Sequence, residues 1–102
     1  MSVKQLVDSA IADNKITIFS KTWCSYSKKA KNLFASEFPD VEAKIIELDE
    51  REDGDAIQAY LLEKTKQRTV PNVFVNQQHI GGGDDVVASF KQGKLRPLVE
   101  AA

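Results

Sequence analysis

Cys24 is the only cysteine in the 102 residues of this chain. A lone cysteine can close no intramolecular disulfide, and within one chain it leaves no multi-thiolate metal site. Free cysteine is often a small buried hydrophobe, so its neighbours must decide whether it does chemistry. Cys24 follows a β-branched and aromatic run at residues 15–20 and precedes a helical pattern that begins at Ser25. It therefore falls at the carboxyl end of a strand, where open α/β sheets put their sites. It also falls at a helix start, where unpaired N–H groups and the helix dipole favour thiolate over thiol. Lys21 lies three residues before it, and Lys28 and Lys29 about one turn after. Such settings lower a cysteine pKa from about 8.5 to roughly 3.5–7.5. No apolar stripe encloses Cys24, as a structural cysteine would require. The expected chemistry is thiol–disulfide exchange by a thiolate that both attacks and leaves well. The single histidine, His79, sits in a strand beside a turn and reads as structural or exposed; a thiolate needs no general base.

The elements that must position Cys24 follow from periodicity. Val3, Leu6, Val7, Ala10 and Ile11 recur at helical spacing over residues 3–12. Residues 15–20 form a strand, and residues 25–36 a helix with Ala30, Leu33 and Phe34 inward and Lys28, Lys31 and Asn32 toward solvent. Residues 43–48 make a second strand. Six acids against one base over residues 47–55 read as a solvated loop and helix start, and residues 55–65 as a third helix. Residues 72–76, a turn, and His79-Ile80 form a hairpin. The glycines 81–83 break it, Asp84-Asp85 opens a helix with Val86, Val87 and Phe90 inward, and a short helix covers 95–101. The order α-β-α-β-α-β-β-α predicts an α/β fold: a four-stranded mixed sheet with helices on both faces.

The length predicts a single domain over residues 1–102. Hydrophobic residues are 42% and charged residues 28%, as in a water-facing fold with a packed core. A net charge of −1 gives no global case for nucleic acid or membrane as a partner. No apolar run approaches the roughly 20 residues that span a bilayer, and no signal-peptide core opens the chain. A cytoplasmic protein or the mature form of an organellar one is expected.

Three segments carry a family resemblance. Lys21-Thr22-Trp23-Cys24-Ser25-Tyr26-Ser27 resembles the active-site segment of the glutaredoxins, Thr69-Val70-Pro71 their Thr-Val-Pro turn, and Gly81-Gly82 followed by Asp84-Asp85 their Gly-Gly segment leading to an Asp. The motifs stand in the family's order and span the chain. The resemblance implies the thioredoxin-like fold, glutathione as co-substrate, and glutathione mixed disulfides as substrates. It implies a cis bond before Pro71, with Val70 pairing with the main chain of the bound peptide. It implies that Lys21 and Arg68 hold the glycine carboxylate of glutathione and that Tyr26 flanks its sulfur. Gly83, Asp84 and Asp85 would take the γ-glutamyl end, with Asp85 on the ammonium; N-capping also explains either aspartate. Glutathionylated proteins and a glutathione reductase are the implied partners, and a monomer the implied state.

The departures are informative. Dithiol relatives carry a second cysteine where this chain has Ser27, so the resemblance implies a monothiol route resolved by a second glutathione. Ser27 fits a natural monothiol sequence or a cysteine-to-serine substitution that traps the glutathionylated form. Gly83 replaces an extra cysteine of some relatives. Ser25 replaces a common proline, which keeps open a second reading: a dimer bridged by an iron–sulfur cluster held by two Cys24 thiolates and two glutathiones. Trp23 ranks that reading lower.

Overall fold

The computed structural model describes residues 2–102. Helix α1 (Val3–Asp13) begins at a capping box: Ser2 Oγ accepts from the Gln5 amide at 3.1 Å while Gln5 Oε1 accepts from the Ser2 amide at 3.0 Å. Strand β1 (Ile16–Ser20) is buried along its whole length. Helix α2 is Ser25–Glu37, β2 is Ala43–Glu47, and a 3₁₀ turn over Leu48–Glu50 leads to α3 (Gly54–Thr65). Then come β3 (Asn72–Val75), β4 (Gln78–Gly81), α4 (Gly83–Lys91) and α5 (Leu95–Glu100). Among the described residues no helix is long and apolar enough to cross a membrane.

The sheet order is β2-β1-β3-β4. β1 pairs parallel with β2, with Ile18 opposite Ile45, and antiparallel with β3, with Ile18 opposite Val73. The β3–β4 hairpin turns through Asn76 and Gln77, both at positive φ, the geometry that suits a two-residue hairpin. The expected mixed sheet and element order are therefore present, in the thioredoxin-like arrangement.

Both faces of the sheet are covered, so side-chain alternation splits the strands between two cores rather than between core and water. Ile16, Ile18, Val73 and Val75 pack with Phe34, Phe38, Val86 and Leu95. Phe19 and Phe74 point the other way, meet edge-on at 6.1 Å between centroids, and pack with Val7, Ile57 and Leu61. This is why β1 and β3 read in sequence as unbroken apolar runs.

Several boundaries differ from expectation. Leu48 leaves the strand for the 3₁₀ turn, and Gly83 is not a breaker but the first residue of α4. Lys31 does not face open solvent: its ammonium meets Glu47 at 2.8 Å, with both side chains about four-fifths buried. Glu47 thereby leaves the acidic segment that was expected to be only solvated.

Candidate active site

Cys24 is the N-cap residue of α2, at the carboxyl end of β1. The chain turns tightly into it, the Cys24 amide donating to the Lys21 carbonyl at 3.1 Å. No side-chain oxygen caps this helix; sulfur stands in that place. As a thiol it donates to the carbonyl of Val70 at 3.7 Å. As a thiolate it faces the Ser27 hydroxyl, the amides of Ser27 and Tyr26, and the charge of Lys21. Partial burial pushes its pKa up, but those four donors and charges outweigh burial and hold the thiol below its ordinary value.

The sequence expected Lys28 and Lys29 to share this electrostatic work. Lys29 instead reaches α4, where it pairs with Asp84 at 3.5 Å on an exposed surface. The lysine acting on the sulfur is Lys21, whose ammonium also lies 5.6 Å from the Trp23 ring centroid.

Ser27 is fully buried beneath the sulfur. Its hydroxyl accepts from the Lys21 amide at 3.4 Å and donates to Cys24, so it ties the loop before the helix to the nucleophile. Tyr26 is 51% exposed and Trp23 67% exposed, which excludes core packing for either.

Across from the sulfur the Val70–Pro71 bond is cis, as the resemblance implied. A cleft of about 290 Å³ opens beside it, lined by Tyr26, Thr69, Val70 and Pro71 on one side and by Gly82, Gly83, Asp84 and Asp85 on the other. All eight of these residues were marked in sequence, and they share one cleft. Arg68 and Lys21 do not line it. A larger hollow of about 550 Å³, between α1 and β2, contains none of the marked residues and lies away from the sulfur.

The second wall is built by glycines. Gly81 adopts φ +123°, and a Cβ there would lie 2.4 Å from Asp85 Oδ2. That oxygen accepts from the Gly82 amide at 2.8 Å and so caps α4. A Cβ on Gly83 would stand 2.9 Å from the Tyr26 carbonyl oxygen, so the starts of α2 and α4 meet closely. His79 lies at the exposed start of β4 with its ring centroid 5.2 Å from that of Phe74. Burial lowers its pKa against an opposing pull from Asp85. It makes no hydrogen bond to the sulfur.

Sequence reading missed the residues that brace this site. Asp49, placed in the solvated acidic segment, accepts from the Thr22 amide at 3.0 Å and from the Thr22 hydroxyl, so it fastens the loop before Cys24 to the 3₁₀ turn. Those same donors keep its carboxyl below the usual range. Gln58 donates to the Arg68 carbonyl at 2.9 Å, and Gln67 donates to the carbonyls of Thr69 and Pro71. Nothing in the spacing of these residues marks them; only the hairpin of α3 and the Pro71 loop brings them into reach.

A low-pKa cysteine at a helix start, facing a cis X–Pro loop on a thioredoxin-like sheet, defines a thiol oxidoreductase. Comparison with known proteins narrows this. The glutaredoxin family model matches residues 16–80. Glutaredoxin-1 of Rhizophagus irregularis is 46% identical over 99 residues, covering 97% of this chain and 96% of that protein. Monothiol glutaredoxin-S6 of Oryza sativa subsp. japonica is 48% identical over 100 residues, covering 96% of this chain and 73% of that protein. The crystal structure of a buckwheat glutaredoxin–glutathione complex superposes with a TM-score of 0.88 at 44% identity, covering 95% of this chain and 86% of that one. The chain belongs to the glutaredoxin family of oxidoreductases.

Proposed function

We propose that this glutaredoxin reduces glutathione mixed disulfides by a monothiol route centred on Cys24. One observation carries the reading: the Cys24 sulfur lies 3.7 Å from the Val70 carbonyl of the Pro71 loop, with donors that lower its pKa, and its neighbour at the resolving position is the hydroxyl of Ser27. The Cys24 thiolate attacks the glutathione-bearing sulfur of the substrate. The substrate disulfide breaks, the substrate leaves as a thiolate that takes a proton from solvent, and Cys24 becomes glutathionylated. A second glutathione thiolate then attacks the glutathionyl sulfur, releases glutathione disulfide and restores the Cys24 thiolate. The net change is one mixed disulfide reduced and one glutathione disulfide formed, which a glutathione reductase recycles. Glutathionylated proteins are the proposed physiological substrates.

In this reading glutathione lies in the cleft with its cysteinyl main chain against Val70 and its sulfur beside Tyr26. Its γ-glutamyl carboxylate meets the start of α4 at Gly83 and Asp84, and its ammonium meets Asp85. Thr69 and Pro71 form the floor. Lys21 and Arg68, outside the cleft, reach its glycine carboxylate with charge-assisted bonds. The glutathione-bound buckwheat relative, alike over nearly the whole chain, supports this ligand.

Intact-mass measurement after incubation with glutathione disulfide tests the proposal. One glutathione adduct, removed by excess glutathione, is the expected result. No adduct, or an adduct that persists under excess glutathione, overturns it.

A further inference from the structure

We infer that Gln67 is a positioning residue that shapes the glutathione-binding wall of the cleft by holding the main chain on both sides of Val70; this rests on the glutathione reading above. The Gln67 side-chain amide donates to the Thr69 carbonyl at 3.0 Å and to the Pro71 carbonyl at 2.8 Å. One NH₂ group therefore bridges the carbonyls of the two residues that flank Val70. With both neighbouring carbonyls tied down, the Val70 carbonyl faces the other way, toward the Cys24 sulfur at 3.7 Å. Among the described residues Val70 makes no bond to another main-chain group, so its N–H is left for a ligand lying in the cleft.

Gln67 is itself held. α3 ends with Lys66 in the left-handed conformation, which swings the chain around. The Gln67 amide donates to Thr65 Oγ1 at 3.1 Å, and the same hydroxyl accepts from the buried Asn72 side chain at 3.2 Å while donating to the Leu61 carbonyl at 2.8 Å. Thr65 thus joins the end of α3 and the start of β3 to the base of the clamp. The clamp also lies near the opposite wall: a Cβ on Gly82 would stand 4.0 Å from Gln67 Nε2 and 3.8 Å from the Pro71 carbonyl oxygen. One partly buried amide therefore sets the Val70 wall close to the glycine wall without a bond to the sulfur.

A clamp of this kind acts on binding of the glutathionyl moiety and not on the attacking group. Gln67→Glu keeps the shape and removes both donors; Gln67→Ala removes the side chain. For each variant we expect KM for the mixed disulfide of glutathione and 2-mercaptoethanol to rise about 5- to 20-fold, from the loss of two hydrogen bonds. We expect kcat to change by less than about twofold and the pH profile of Cys24 alkylation to stay where it is. An unchanged KM in both variants overturns the inference. So does a fall in kcat accompanied by a shifted alkylation profile, because that would place Gln67 on the nucleophile or on the fold at large. If the wild-type chain neither turns over this probe nor takes up glutathione, the parent reading fails, and the clamp assignment fails with it.

Discussion

Two helices begin within contact of each other at this site, and they meet the same problem in different ways. Every helix start exposes amides without partners. At α4 only the first amide is closed internally: Asp85 turns back onto the Gly82 amide, Gly81 at positive φ makes room for that carboxylate, and no side chain caps the amides that follow. At α2 no oxygen cap exists, and the amides of Tyr26 and Ser27 are left to the sulfur of Cys24. The difference teaches what each end can do. A start whose first amide is held by its own acid is a fixed polar wall with amides left for a ligand. An unsatisfied start with a thiol at its cap stores its capping capacity for an ionised nucleophile.

The comparison breaks most severely if the sulfur is removed. Cys24→Ser supplies α2 with an ordinary oxygen cap and should reduce turnover of a glutathione mixed disulfide to the uncatalysed background, while thermal unfolding stays cooperative. Residual turnover above background would mean that the cap is not the nucleophile.

A smaller effect is expected from Ser27→Ala, which removes one donor to the thiolate and leaves the two amides. Because the folded thiol lies below the unfolded value of about 8.5, thiolate formation stabilises the fold. That contribution is fully present above the unfolded pKa and is lost as pH falls through the folded one. Ser27→Ala should move the alkylation midpoint toward higher pH and slow alkylation at neutral pH on the order of tenfold. Iodoacetamide rates measured across pH check both.

The smallest effects test the other helix. Asp85→Asn keeps an acceptor for the Gly82 amide and loses the charge, so KM for the mixed disulfide should rise severalfold with little change in Tm. Asp85→Ala loses the cap as well and should cost about 1 kcal/mol, a Tm decrease of roughly 4–8 °C for a domain of this size. Equal Tm values for the two variants would show that α4 does not depend on its cap.

Much of the site was legible in the sequence because it is local. Cys24, Tyr26 and Ser27 lie within one helical turn, and Asp84 with Asp85 within another, so helical spacing alone predicts that each group shares a helix start. Thr69-Val70-Pro71 was legible through family resemblance, since nothing in its own spacing announces a partner for Cys24. Other features were illegible for physical reasons. Asp49 lies among acids that look uniformly solvated, and its bonds to Thr22 exist only because parallel pairing of β1 with β2 brings both strand ends to one edge. Glu47 meets Lys31 only because α2 packs beside the end of β2. Lys29 looked like part of the thiolate's charge environment because sequence distance was taken for spatial distance. The helix turns Lys29 to Asp84 instead.

By itself the sequence determined the chemistry: a single thiol at a strand-to-helix junction, no second thiol at position 27, and a pattern of alternating strands and helices that yields one kind of mixed sheet. Tertiary structure alone decided how that thiol is tuned and what faces it. Hydrogen bonds from the Ser27 hydroxyl and the α2 amides, the 3.7 Å approach of the Val70 carbonyl, and the glutamine clamps on the Pro71 loop depend on distances of a few tenths of an ångström. Such distances arise from packing between segments remote in the chain, and residue type and spacing do not encode them locally.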